Sequence, residues 1–290
     1  MKLRNKFIVL AITISLIPTT IGGFIVYDSA KTMLMKSLED RLQGIATVQE
    51  THVNACLDNL SDVLRIISVK TFMKSSLDLY NKTGDIKLRN HLIDNLNETK
   101  AYGTDILEIS IFDSYGKVIV STDSGKIGTI AKNEPGVTTD AKHCGLTDVL
   151  KGDKKRLQTA ITIHSSCPLV LDGRLIGTIG VIWDAGKLIR ITSDYTGLGL
   201  SGETLLAKRA YGGDAFFIVP LRFDKKAALT TKVSKLDTKA AITHALSKEE
   251  GFLFSATDYR GKEVIAATRY IDKADWGLVV KIDKPEALAQ

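Results

Sequence analysis

Apolar and polar positions follow three successive patterns along the chain. Residues Phe7–Tyr27 contain no charged side chain. From Ser29 to Ile67, apolar residues recur at steps of three and four, which predicts one long helix. From about Thr104 onwards, apolar and polar residues alternate at steps of two, which predicts β-strands. We therefore expect an α+β chain that begins with helix and continues with sheet.

The first apolar run, Phe7–Tyr27, predicts a transmembrane helix. Twenty-one helical residues span about 31 Å, which matches a hydrocarbon core of about 30 Å. A secretory signal peptide is the alternative, but its apolar region is usually only about 7–15 residues long, and no A-x-A-like site follows here. Three basic residues in segment 1–6 keep that segment in the cytoplasm. We therefore expect a cell-membrane protein with one span and with residues 28–290 outside the cytoplasm.

Residues 28–98 are predicted to form a helical stalk that continues from the membrane span. Further helix is expected at Leu77–Asn97, with an interruption around Asn81–Gly84. The apolar stripe of the stalk needs a partner. We expect it to pack against the domains that follow, against a second copy of the chain in a homodimer, or against both.

Residues 99–195 and 196–290 are predicted to form two units with the same order of elements. Each runs from a hairpin through a helix and three antiparallel strands to an exit helix, and such a repeat favours duplicated modules over one large enzyme fold. In the second unit, the three strands are expected within 251–283. In the first unit, a short helix is expected around Gly145–Leu150, followed by strands at Leu157–Ile163, Pro168–Asp172 and Arg174–Asp184.

The composition is that of an ordinary globular protein, with 44% hydrophobic and 25% charged residues. The formal net charge of +6 is spread thinly, without a stripe of Lys and Arg interleaved with aromatic residues, so no nucleic-acid partner is expected. The histidines are scattered, and neither a G-x-S-x-G nor an H-E-x-x-H motif is present. We therefore expect no catalysis and no cofactor, with a membrane-anchored hydrolase as the less favoured alternative.

Five stretches carry a family resemblance: ISIFDSYGKVIVSTDSGKIG (109–128), RLIGTIGVIWDAGKL (174–188), TGLGLSGETLLAKR (196–209), IVPLRFDKKAAL (218–229) and DYRGKEVIAATRYIDKADWGLVVKID (258–283). In their order and spacing they resemble the double Cache sensor domains of prokaryotic transmembrane receptors, such as sensor histidine kinases and chemoreceptors. With the stalk, the resemblance covers nearly all of the chain. It implies a long N-terminal helix followed by two tandem PAS-like antiparallel-sheet units.

The resemblance also implies a function, namely extracytoplasmic small-molecule sensing by the ligand-binding part of a signal-transduction receptor. Residues 99–195 would be the membrane-distal unit that holds the ligand, and residues 196–290 the membrane-proximal unit that transmits the change. Amino-acid-binding members of the family carry an Arg and aromatic residues before the third strand, whereas Asp140–Thr159 contains no Trp or Tyr. Because no kinase, HAMP-like or methyl-accepting segment is present, we interpret the chain as the sensor portion of a longer receptor or as a stand-alone membrane-anchored binder.

Strand alternation suggests which polar groups of the first unit face a ligand. On the last strand of this unit, Asp184 shares a face with Ile182, and it matches the acid found there in the family. If the two strand faces converge, a polar ligand contacts Asp184, His164, Thr162, Gln158 and Arg156. The alternatives are a helix N-cap for Asp184, a solvated strand end for His164 and a solvated turn for Arg156.

The chain has three cysteines, of which two lie in the first unit. Outside the cytoplasm, a disulfide between Cys144 and Cys167 is one interpretation, with Cys56 left over. Together with His143 and His164, the same two thiols have zinc-compatible chemistry, although their spacing matches no standard zinc module. Simple packing of small thiols is the third interpretation, and no metal is expected.

Overall fold

The computed structural model describes residues 3–103, 105–130, 143–152 and 161–289, with the side chains of all of these except 3–15 and 17–19. The first helix, α1 (Leu3–Val69), is 67 residues long and contains the whole of the helix predicted between Ser29 and Ile67. The predicted span Phe7–Tyr27 also lies within α1. In the part of the chain that the structure describes, no helix combines the length and the apolar character that crossing a bilayer requires.

Two shorter helices follow α1, namely α2 (Thr71–Thr83) and α3 (Ile86–Tyr102). The predicted interruption between them is present at Gly84. This glycine has a φ of 69°, a left-handed conformation that ends α2, and its N–H donates to the Tyr80 carbonyl at 2.8 Å. Asp85 then begins α3, because its carboxylate accepts the N–H of Lys87 at 2.8 Å.

The first unit is built on a five-stranded antiparallel sheet in the order β2-β1-β5-β4-β3. Its last strand leads directly into a short helix, α4 (Gly186–Thr192), as predicted. A single 3-10 turn, Ser124–Lys126, follows β2. The strands are β1 (Ile106–Phe112), β2 (Val118–Ser121), β3 (Gly145–Lys151), β4 (Ile161–Leu171) and β5 (Arg174–Asp184).

Two expectations for the first unit are wrong. The segment predicted as a short helix at Gly145–Leu150 is strand β3, which pairs with β4 through Val149 and Ile163. An unpaired edge of β4 offers a row of backbone hydrogen bonds, and this tertiary pairing overrides a short apolar pattern that also suits a helix. The separate strand expected at Pro168–Asp172 belongs to β4, which runs without interruption to Leu171.

The second unit contains a six-stranded antiparallel sheet in the order β8-β7-β6-β11-β10-β9. The three strands predicted within 251–283 and the exit helix after them are confirmed. The elements are β6 (Glu203–Arg209), β7 (Ala215–Phe217), β8 (Lys232–Val233), α5 (Ala241–Leu246), β9 (Gly251–Thr257), β10 (Glu263–Ile271), β11 (Trp276–Asp283) and α6 (Lys284–Ala289). The predicted α+β class, with a long helix before two PAS-like sheets, is therefore confirmed.

Helix α1 packs against both sheets along one apolar stripe. Leu42 and Leu64 on this stripe are fully buried, in one continuous core shared by α1 and the two sheets. Full burial of a leucine side chain stabilises a fold by about 2 kcal/mol. A polar contact adds to this packing: the Arg269 guanidinium of β10 donates to the Gln43 carbonyl at 3.2 Å and to the Thr47 hydroxyl at 2.9 Å. The stripe of the predicted stalk therefore has the following domains as a partner.

Candidate ligand-binding site

A cavity of about 670 Å³ lies against the sheet of the first unit. Thr162, His164 and Ile182 form part of its lining. Side chains alternate between the two faces of a strand. Ile163 and Trp183 are next to these lining residues in sequence. Their side chains therefore point to the opposite face of the sheet, into the core that the sheet shares with α1. The cavity consequently lies on the sheet face that α1 leaves uncovered.

The floor of the cavity combines β4 and β5. In the ladder between these strands, His164 lies opposite Ile182, and Thr162 lies opposite Asp184. The Thr162 hydroxyl lies 3.0 Å from Nε2 of His164. Burial is the main cause that lowers the pKa of His164 to about 4, against an opposing contribution from the nearby Asp148 carboxylate. At neutral pH the floor is therefore polar but uncharged.

One wall of the cavity contains Glu108 of β1, whose carboxylate is paired with a lysine. Its Oε2 lies 2.9 Å from Nζ of Lys126, and its Oε1 lies 2.8 Å from the Ser110 hydroxyl. The 3-10 turn after β2 positions this lysine. The turn is held by Asp123, whose carboxylate accepts the N–H of Gly125 at 3.1 Å. Glu108 is not among the site residues predicted from the sequence, although an acid inside the apolar strand ILEISIF is a signal that could have selected it.

The structure brings together part of the predicted site. Thr162 and His164 line the cavity, as strand alternation predicted. Asp184 lies at the end of β5, where its carboxylate accepts the N–H of Gly186 at 2.6 Å in the first turn of α4. Its side chain lines a separate cavity of about 260 Å³ between α1 and β5. Arg156 and Gln158 lie outside the described residues.

The edge strand of the site is fixed by a disulfide between Cys144 and Cys167. Gly145 pairs with Ser166 across β3 and β4, so the two cysteines lie opposite each other, with their Cα atoms 4.0 Å apart. Because both sulfur atoms belong to this bond, neither cysteine has a thiol for the zinc site that the sequence left as an alternative. Cys56 is free and buried on α1.

The same edge strand contacts the second unit. The ammonium group of Lys208 in β6 forms an ion pair with the Asp148 carboxylate of β3. It also donates to the Val149 carbonyl at 2.9 Å. Both charged side chains are largely shielded from solvent, with 19% and 33% of their surface exposed. The cavity edge is therefore linked to the neighbouring sheet through one partly buried ion pair.

A buried ion cluster occupies the second unit. Nζ of Lys281 is fully buried and lies 3.0 Å from both Glu203 Oε1 and Asp258 Oδ2. Arg260 pairs with Asp258 and with Asp283 at the end of β11. Burial alone would raise the pKa of Asp258, but the hydrogen bond from Arg260 and the charge of Lys281 lower it. Because each carboxylate already has a cationic partner, loss of one charge would leave another buried without compensation, and the cluster is a poor candidate for ligand binding.

The segment that joins the two units is bound to the exit helix. The Glu286 carboxylate of α6 accepts the N–H groups of Leu200 and Ser201, each at 2.7 Å. The Ser201 hydroxyl in turn accepts the N–H of Asp283 at 3.0 Å. The glycine-rich stretch TGLGLSG (196–202) therefore serves as a structured linker that contacts α6.

No family model matches the chain, and no curated protein matches it in sequence. Solved structures do match. The ligand-binding domain of the Campylobacter jejuni chemoreceptor Tlp3, solved with 4-methylisoleucine, is 15% identical with a TM-score of 0.60, and the match covers 88% of this chain and 94% of that one. The ligand-binding domain of the Pseudomonas aeruginosa chemoreceptor PctB, solved with L-Gln, is 15% identical with a TM-score of 0.58, covering 87% and 93%.

A third similar structure comes from another receptor class. The extracellular domain of rpHK1S-Z16, described as a histidine kinase, is 12% identical with a TM-score of 0.60, and the match covers 88% of this chain and 98% of that one. Each of the three matches covers at least 87% of this chain and at least 93% of the solved structure. The chain therefore shares its fold with sensory domains of chemoreceptors and of a histidine kinase, which agrees with the fold that the resemblance in its sequence implies.

Proposed function

We propose that this chain senses a small molecule outside the cytoplasm as the ligand-binding part of a transmembrane signal-transduction receptor of the chemoreceptor or histidine kinase type. The observation that carries the proposal is the cavity of about 670 Å³ on the uncovered face of the first sheet. Its volume lies within the range of roughly 300–1,000 Å³ that is usual for small-molecule sites. Proteins with this fold include domains solved with amino-acid ligands, such as 4-methylisoleucine and L-Gln.

The contacts around the cavity provide a path for a signal. The edge strand β3 reaches the second unit through Asp148 and Lys208, and α1 packs against both sheets. The second unit ends in α6, which Glu286 ties to the linker between the units. A ligand shifts the equilibrium between two arrangements only by its difference in affinity for them. The ligand would therefore act by favouring one position of β3 and α1 relative to the second sheet.

Two further features belong to this proposal. The uncharged run Phe7–Tyr27 would anchor the chain in the cell membrane, with the sheets outside the cytoplasm.

Two copies would associate through α1, where Met33, Val48 and Ile66 are 78%, 53% and 62% exposed. At about 100° per residue, these three side chains fall within about 60° of one another around the helix. Disulfide cross-linking of Met33→Cys in membranes tests the homodimer, and an absence of cross-linked dimer would contradict it.

The test of the sensing function is a thermal-shift screen of the full chain, held in lipid nanodiscs, against panels of small metabolites. A ligand that binds only the folded state raises the melting temperature. Substitution of His164→Leu in the cavity should abolish the shift caused by a hit. The matched control is His91→Leu, an exposed histidine on α3, which should leave that shift unchanged. A hit that is insensitive to His164→Leu and to Thr162→Val would overturn the placement of the ligand.

A further inference from the structure

The charges that line the cavity divide into paired and unpaired groups. The two acidic residues are already engaged, because Glu108 pairs with Lys126 and Asp123 accepts the N–H of Gly125. The two remaining lysines, Lys100 and Lys151, also line the cavity. Their ammonium groups form no hydrogen bond or ion pair within the described residues. Three lysines (Lys100, Lys126 and Lys151) and two carboxylates therefore line the cavity, which leaves an excess of one positive charge among the described lining residues.

These two lysines approach the cavity from opposite sides. Lys100 lies in the last turn of α3, which packs against β1 and β2. Lys151 is the last residue of β3, at the other edge of the sheet. Strands β1 and β3 are three strand spacings apart, or about 14 Å. Because both residues line the same cavity, their side chains can contact the two ends of one small molecule.

The floor between the lysines suits an uncharged carbon skeleton. Ile182 offers apolar contact, and Thr162 and the neutral His164 offer hydrogen-bonding groups. An ammonium group on the ligand would need an acceptor with negative charge, but Glu108 already has a cationic partner and lysines outnumber carboxylates in the lining. Charge complementarity at this cavity therefore favours anionic groups at the ends of the ligand and no cation between them.

We propose that the cavity recognises a small organic acid with two carboxylate groups, bound at its ends by Lys100 and Lys151. This assignment rests on the proposed sensing function and gives it a ligand class. It separates the chain from the amino-acid complexes of Tlp3 and PctB, whose ligands carry an ammonium group beside one carboxylate.

The proposal is tested by calorimetric titration of the full chain in nanodiscs with dicarboxylates from malonate to adipate. Butyrate and L-aspartate serve as comparisons, because butyrate lacks the second carboxylate of succinate and L-aspartate adds an ammonium group to it. We expect the best dicarboxylate to bind at least tenfold more tightly than either. Lys100→Met and Lys151→Met should each weaken that binding by roughly tenfold to hundredfold, as expected for a lost charged hydrogen bond.

The control is Lys87→Met, which removes an exposed lysine near the start of α3 and should not change the dissociation constant. Melting temperatures without ligand establish that each variant folds. Dicarboxylate binding that survives both cavity substitutions would overturn the proposal. A zwitterionic or cationic hit that depends on His164 but on neither lysine would overturn the ligand class and leave the sensing function standing. A complete lack of ligands in the broad metabolite screen would count against both.

Discussion

Among the single residues, His164 combines burial with a position on the cavity floor. An unfolded histidine takes up a proton below about pH 6.5, whereas the folded pKa of His164 is about 4. Between these values the unfolded state binds more protons, so the free energy of unfolding decreases as the pH falls through this window. From about pH 7 to about pH 5, we expect wild type to lose about 1–2 kcal/mol more stability than His164→Gln, after allowance for partial solvent screening.

Urea unfolding at a series of pH values measures this difference. The control is His91→Gln, which replaces an exposed histidine on α3. If the curves of wild type and His164→Gln run parallel, His164 titrates in the folded protein as it does in the unfolded chain, and burial does not lower its pKa.

Lys281 gives a second prediction, for the buried ion cluster. Lys281→Met would leave Glu203 and Asp258 buried beside each other without their shared cation. Removal of one partner from a buried ion pair usually costs about 3–5 kcal/mol of stability. Lys262→Met is the matched control, because this lysine is 59% exposed and pairs with Asp283 at 3.4 Å. We expect the control to cost less than about 1 kcal/mol in urea unfolding, and similar small losses for both variants would contradict a stabilising role of the cluster.

These residues show where sequence reasoning succeeds and where it stops. Alternation along one strand was enough to place Thr162 and His164 on the face that lines the cavity. Alternation along one strand does not predict the ion cluster around Lys281. Its partners Glu203 and Asp258 lie on other segments and come next to it only in the folded sheet. Lys100 was missed for the same reason, since a helix end approaches the sheet only after the chain has folded.

Among the elements, edge strand β3 depends most on a covalent link. Its disulfide, Cys144–Cys167, closes a loop with a sequence separation of 23. Loop entropy predicts that loss of such a bond costs about 3 kcal/mol. We expect the double substitution Cys144→Ser and Cys167→Ser to lower the stability by this amount and to speed amide exchange in β3. Cys56→Ala is the control, since the free Cys56 should affect exchange in α1 instead. Unchanged exchange in β3 would contradict the assigned role of the bond.

The elements themselves were largely predictable, because periodicity is a local property. The long helix, the interruption at Gly84 and the final three strands follow from spacing alone. Strand β3 was predicted as a helix because Leu146, Val149 and Leu150 have a spacing that also suits one helical face. The open edge of β4 makes this segment a strand. Such a pairing partner is a tertiary feature that the segment itself does not encode.

In the whole molecule, α1 packs against both sheets, and an ion pair among the described residues connects the two units. The pair Lys208–Asp148 joins β6 to the edge strand of the cavity. Both side chains are largely shielded, so their attraction is weakened less by solvent and salt than that of a surface pair. If ligand binding at the first sheet is to reach the second, this contact is the most direct polar route between the units.

A double-mutant cycle measures how strongly that contact couples the units. Lys208→Met, Asp148→Asn and the double variant should give an interaction free energy of about 0.5–2 kcal/mol in urea unfolding of the full chain. The matched control is the exposed pair Lys248–Asp272 within the second unit, whose side chains are 61% and 82% exposed. Its interaction free energy should fall between about 0 and 0.5 kcal/mol. If both cycles give the same small value, the ion pair does not link the units, and any signal between them must pass through α1 and the linker.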